Sequence, residues 1–203
     1  MRDPAKAEAF GIPGTVEVAE GDMLKPTTLD GALDGVERAL MISGPDGHML
    51  ETQCTFVDAA KRAGVRDIIK LSGMGCWDDA TFRFARMHAE VERYLEGSGV
   101  AWTHLRPSTF MQTFLLEVPT ILHDGTMNLP MADAKLSPVD VDDIAQVAVA
   151  LPGNVPRRHV AQRSVSTSYQ PASAAFAAAV VCGVAVSRQS GSPGSPTSNH
   201  TSP

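Results

Sequence analysis

The sequence predicts a doubly wound α/β domain, and three observations carry that prediction. A unit recurs in which a helical pattern ends in Gly-Val and a short apolar strand follows. The instances are Gly35-Val36 before residues 39–42, Gly64-Val65 before residues 68–71, and Gly99-Val100 before residues 102–105. Their spacings, 29 and 35 residues, suit strand–helix–strand repeats. The stretches between them carry helical periodicity, and strands alternating with helices give a parallel sheet covered on both faces.

The elements follow in order. A first strand is expected over residues 16–19, ahead of Gly21-Asp22. Thr27 with Asp30 reads as a helix start, a relative of the capping box, opening a helix over residues 29–36. After the strand at 39–42, Leu50, Cys54, Val57 and Ala60 fall on one face of a helix over about 49–63. Lys61 and Arg62 sit in its last turn, where cations suit the helix dipole, and Gly64 can take the left-handed conformation that ends it. Phe84, His88, Val91 and Leu95 give the same periodicity over about 82–96. Asp140-Val141-Asp142-Asp143 precedes residues 144–151 and most simply caps and charges a helix N-terminus.

Composition bounds the function. The chain has 203 residues, 43% hydrophobic and 20% charged, with a net charge of −6. These values are ordinary for a soluble globular protein and argue against nucleic-acid binding driven by phosphate contacts. Cys54, Cys76 and Cys182 have no spacing for a zinc site or a disulfide framework. His48, His104 and His123 show no metal-ligand spacing, so no metal is expected. There is no apolar run of about 18 residues to span a membrane and no basic-then-apolar N-terminal signal. The expected compartment is the cytoplasm.

The average hides a break. Residues 1–151 hold all 23 acidic residues against 13 of the 17 basic ones, a net of −10, while 152–203 hold only Arg157, Arg158, Arg163 and Arg188. The division is a domain at 1–151 and a low-complexity, largely disordered tail at 152–203. Within the tail, residues 174–186 read as at most a weak helix. Asn199-His200-Thr201 matches a glycosylation sequon that a cytoplasmic chain would not use.

In a doubly wound sheet, ligands bind at the carboxyl ends of the strands. The residues to inspect are therefore Asp22-Met23, Ser43-Gly44, Ser72-Gly73 and Pro107 to Phe110. Here a resemblance becomes specific. Arg2-Asp3-Pro4, Glu20-Gly21-Asp22-Met23, Phe56 to Val65, Leu71-Ser72-Gly73-Met74-Gly75, His88 to Leu95, Leu105-Arg106-Pro107-Ser108-Thr109-Phe110-Met111-Gln112 and Val139 to Ala145 together resemble the NmrA-like, atypical short-chain dehydrogenase/reductase family. The match covers about residues 2–151.

The resemblance implies a Rossmann domain that binds NADP or NAD. It places Arg2 where a cation meets the 2′-phosphate of NADP, and Asp22 and Met23 beside the adenine. Ser43 and Gly44 fall beside the ribose and pyrophosphate. Lys70, Leu71 and Ser72 fall on the nicotinamide side, with Pro107 to Phe110 closing the pocket. Each assignment has a plainer counterpart. Arg2 is also a mobile terminus, Asp22 also a turn former, Lys70 also a strand-end surface charge, Ser72 also a turn residue, and Cys76 an inert thiol.

Two departures stand out. The family opens with a strand, a G-x-x-G-x-x-G loop and a helix whose N–H groups hold the pyrophosphate. This sequence starts after that unit, and Gly11-Ile12-Pro13-Gly14 is no substitute because Pro13 lacks a donor. The expectation is a sheet lacking its first βα unit. Second, the family's Tyr-x-x-x-Lys pair is replaced. With Glu92 aligned on the glutamate that follows it, Phe84 stands at tyrosine and His88 at lysine. His88 then reads either as a general acid near neutral pH or as a core histidine bonded to a backbone group.

Three functions compete. One is an NAD(P)H-dependent oxidoreductase on a small quinone or carbonyl substrate. Another is a non-catalytic NADP-binding sensor that regulates a protein partner. The third is an inactive product of truncation and a frameshift near residue 151.

Overall fold

Three glycines punctuate the chain. Gly35, Gly64 and Gly99 have φ of 67°, 78° and 89°, a region open to glycine and strained for other residues. At each, a helical segment stops and a strand begins two or three residues later. The structure, a computed structural model, describes residues 16–44, 46–129 and 137–151, together with the strands 159–161 and 185–187.

The strands are β1 (Arg38–Met41), β2 (Asp67–Leu71), β3 (Ala101–Leu105), β4 (His159–Ala161) and β5 (Ala185–Ser187), in the spatial order β4-β3-β2-β1-β5. β1 to β4 run parallel and β5 pairs antiparallel with β1. Arg38 lies opposite Asp67, and Asp67 opposite Ala101. The helices are α1 (Leu29–Ala32), α2 (Met49–Arg62), α3 (Arg83–Gly97), α4 (Val118–Asp124) and α5 (Val141–Ala150). Two 3-10 turns, Pro26–Thr28 and Met111–Glu117, lead into α1 and α4.

Because side chains alternate along a strand, the sheet builds two cores. Ala39, Met41 and Ile68 point to one face and pack with Phe56, Val57, Ala60, Val91 and Leu95 of α2 and α3. Leu40, Ile42, Ile69, Leu71 and Leu105 point to the other and pack with Val139, Ile144 and Ala148. Every residue of β2 is buried, as a central strand covered on both sides requires. Each such Leu or Ile contributes on the order of 2 kcal/mol. Arg38 pins the base of the sheet, donating to Asp67 at 3.2 Å and to the Leu151 carbonyl at 3.0 Å.

The Rossmann-like parallel sheet, the helix periods and the Gly-Val junctions match the expectation. Three local readings do not. Residues 16–19 form no strand, because both edges of the β1–β3 sheet are taken, by β4 and β5. The helix expected over 29–36 is only the single turn of α1, whose Gly31 and following Gly35 disfavour helix. The threonine that fixes its entry is Thr28 rather than Thr27. Its Oγ1 accepts from the Asp22 N–H at 2.8 Å and donates to the Lys25 carbonyl at 2.7 Å. From the segment 152–203, read as largely disordered, the described residues are those of β4 and β5. Its other residues, the apolar stretch and the sequon among them, lie outside the described residues, as does Arg2.

Candidate functional site

β1, β2 and β3 run parallel and end on one side of the sheet, the side on which an open parallel sheet leaves a crevice between the segments that follow its strands. Backbone bonds continue the β2–β3 pairing past the strands. Ser72 N–H donates to the Leu105 carbonyl at 2.7 Å and Met74 N–H to the Pro107 carbonyl at 2.8 Å. Phe110 forms a parallel bridge with Val139, closed by Met111 N–H to the Val139 carbonyl at 2.9 Å and Val139 N–H to the Thr109 carbonyl at 3.0 Å. Gln112 completes the join, donating to Asp140 at 2.8 Å and accepting from the Val141 N–H at 3.2 Å. Asp140 also caps α5 by accepting from the Asp142 N–H. The segment after β3 is thus fastened to the start of α5.

The floor of the crevice is polar and buried. Lys70 stands on the α2–α3 face of β2, at the position where the apolar stripe would continue, and is fully buried. Its Nζ lies 2.8 Å from His88 Nδ1 on α3 and 3.4 Å from the Leu71 carbonyl. Among the described residues no carboxylate reaches it within ion-pair distance. Burial pushes the Lys70 ammonium down to about 8, against the pull of Glu92. Burial and the Lys70 charge push His88 down to about 3. At neutral pH the lysine therefore carries the proton and the imidazole accepts its hydrogen bond. Burial keeps the His88 ring neutral at that pH, so a proton it gives would come from the neutral ring, and its partner is the Lys70 side chain rather than a backbone group. Lys70 is no surface charge.

One turn further along α3, Glu92 takes both ends of the Arg106 guanidinium, at 3.1 and 2.5 Å. Burial works to raise the Glu92 carboxyl, but hydrogen bonds from Arg106 and Ser72 outweigh it and hold the group below its usual value. Arg106 in turn lies 5.0 Å from the centre of the Trp77 ring, a cation–π distance. Arg93 pairs with Asp78, a second tie from α3 to the loop after β2. Ser72 is buried and its hydroxyl lies 3.7 Å from Cys76 Sγ. The Ser72–Glu92–Arg106–Trp77 chain was not foreseen. The available signal was Glu92 one turn from His88 on the buried face of α3, which demands a partner.

The other predicted residues are placed as follows. Ser43 follows β1, and its hydroxyl accepts from Gln53 of α2 at 2.7 Å. Gly44 is exposed, with open space where a Cβ would stand. Ser108 Oγ is buried without a partner among the described residues. Leu71 is a core residue of the α5 side, and Phe110 packs against the same core. Asp22 uses its carboxylate in a turn, accepting from the Leu24 N–H at 3.0 Å, and Met23 packs against the α2–α3 core. Among the described residues no group of His, Cys, Asp and Glu could hold a metal ion. No described helix is long and apolar enough to cross a membrane.

Comparison with known proteins agrees with this geometry. The chain is 34% identical over 149 residues to the NAD(P)H azoreductase of Xenophilus azovorans, covering 73% of this chain and 52% of the relative. It superposes on the NADPH-dependent quinone oxidoreductase of Escherichia coli complexed with NADPH with a TM-score of 0.55 and 34% identity, over 61% of this chain and 44% of that one. On the Citrobacter triphenylmethane reductase complexed with NADP(H) the TM-score is 0.53 and the identity 25%, over 60% and 44%. The chain spans about half the length of the curated relatives it matches. A family model described as NAD(P)H-binding matches residues 1–154, in keeping with the NmrA-like resemblance, and the chain belongs to that NAD(P)H-binding family.

Proposed function

We propose that this chain is an NAD(P)H-dependent oxidoreductase acting on small quinone, azo or carbonyl acceptors. The observation that carries the reading is the crevice at the ends of β1–β3, floored by a buried proton-bearing pair, Lys70 and His88. Two features of its lining favour a dinucleotide there. Gly44 leaves open space for close approach, and the unpartnered Ser108 hydroxyl would recover about 1–3 kcal/mol on gaining a polar ligand. Ser43, Gly44, Ser72, Pro107 and Phe110 are the residues that would hold the cofactor. Bound NAD(P)H supplies a hydride. The protein's own part is to orient the acceptor, exclude water and deliver one proton. The relatives' names point to azo and quinone acceptors, and each two-electron reduction of such an acceptor takes up one hydride and one proton, which suits a site with a single proton source.

A second reading is a cofactor-binding regulator without turnover. The observation in its favour is Phe84, half-buried on α3 where a tyrosine proton donor would stand. Oxidation of NADPH by the purified chain in the presence of a quinone and azo panel separates the two. Acceptor-dependent oxidation is the expected result. Cofactor binding with no oxidation under any acceptor would leave the regulator.

A further inference from the structure

His88 stands where the NmrA-like resemblance implies a lysine, and the lysine beside it comes from β2. This inference rests on the oxidoreductase reading. We propose that Lys70 stores the proton the acceptor takes up, and that the His88 ring passes it on by exchanging tautomers.

Geometry dictates the direction. Lys70 Nζ, with three donors and no acceptor when charged, faces His88 Nδ1 at 2.8 Å. Nδ1 therefore accepts, and the ring proton stands on Nε2. Among the described residues nothing else takes a hydrogen bond from Nε2. The ring is half-buried on α3 at the crevice, while the lysine behind it is sealed from solvent. Among the described residues the imidazole is the side chain hydrogen-bonded to the buried Lys70 ammonium, and so the group that can carry its proton outward.

The step balances. The Nε2–H bond breaks and its proton goes to the acceptor's oxygen or nitrogen. The Lys70 N–H bond breaks and its proton goes to Nδ1, so the ring ends as the other neutral tautomer and the lysine as an amine. The hydride would come from the reduced nicotinamide, which is oxidised as it gives it up, completing a two-electron reduction of the acceptor. Water then reprotonates Nε2 while Nδ1 returns its proton to Lys70. No imidazolium forms, which agrees with a ring whose burial and charged neighbour push it down to about 3.

The groups facing Lys70 are Cys54 from α2, His88 and Glu92 from α3, Cys76 from the loop after β2, and His104 and Arg106 from β3 and its end. Glu92 is held by Arg106 and Cys54 is pushed up to about 11 by burial and by Asp58 and Glu90. Neither competes for the proton near neutrality. Lys70 at about 8 is charged at neutral pH and close enough to release its proton. The acceptor-reducing rate should therefore fall as pH rises through about 8, because the stored proton is lost there.

The test uses the full chain and has two readouts. The first is the ring 15N spectrum of His88 without cofactor. The native protein should show neutral imidazole protonated on Nε2 from neutral pH down to about 4, below the usual imidazole range. Lys70→Met should raise the His88 titration toward the usual histidine value. Lys70→Arg, a cation that does not deprotonate, should keep the Nε2–H tautomer. The second readout is turnover with NADPH and a quinone. Both variants should lose on the order of 100-fold in kcat, with NADPH affinity retained and the fall near pH 8 abolished. A native His88 protonated on Nδ1, or charged at pH 6, overturns the relay without any variant. So does a Lys70→Met protein with native turnover and pH profile. A native chain with the predicted tautomer that oxidises no NADPH with any acceptor instead overturns the oxidoreductase reading on which the relay rests.

Discussion

Glu92 and Arg106 show how a charged pair survives inside the domain. Their side chains are 4% and 11% exposed, and each satisfies the other with two hydrogen bonds. Breaking such a pair strands a buried charge and costs more than the pair contributes. Glu92→Gln should therefore lose about 3 kcal/mol in urea unfolding, and Glu92→Gln with Arg106→Met together should lose less than Glu92→Gln alone. Equal losses would mean that Arg106 finds water instead. His88 gives the residue-scale pH effect. Unfolded, the ring binds a proton below about 6.5; folded, it does so only near 3. The unfolded state holds more protons between those values, so stability falls as pH drops through that window. A series of melting temperatures from pH 7 to pH 4 should fall, and more steeply for the native chain than for His88→Gln. The periodicity of α3 put His88 on an apolar face. It did not reveal Lys70 as its partner, because the two lie 18 residues apart on different elements and no spacing rule links them.

Among the elements, α5 shows how a cap can be read from sequence. Asp140 precedes an apolar period and accepts from the Asp142 N–H as a cap should. It also receives Gln112 from the segment after β3. Asp140→Ala removes both contacts and should cost about 1–2 kcal/mol, while Asp140→Asn should retain most of the cap. The Gly-Val junctions were equally legible, since a helix stop followed by an immediate strand favours a left-handed residue. Gly64→Ala, at φ of 78°, should lose about 1 kcal/mol, measurable by the same denaturation. The failure at residues 16–19 has the opposite cause. Alternation and β-branching describe a strand's faces and say nothing of its edges. Whether a segment pairs depends on which neighbours the fold supplies, and here β5 occupies that edge of β1.

For the whole molecule, two cores on a parallel sheet place every crevice residue at one edge. Ser43, Ser72 and the Arg106–Phe110 segment come from three separate strands yet meet there because the strands share a direction. That much followed from the strand–helix alternation alone. The buried network beneath the crevice did not, since it joins side chains from α3, β2 and two loops that only tertiary packing brings together. On the reading proposed above, NAD(P)H binds at the ends of β1–β3. The most direct measurement is an amide 1H–15N titration of the full chain with NADPH. Saturable shifts should concentrate at Ser43, Gly44, Ser72, Gly73, Ser108 and Phe110. Saturable shifts confined to the opposite end of the sheet, around Arg38, Asp67 and Ala101, or no shifts at all, would contradict it.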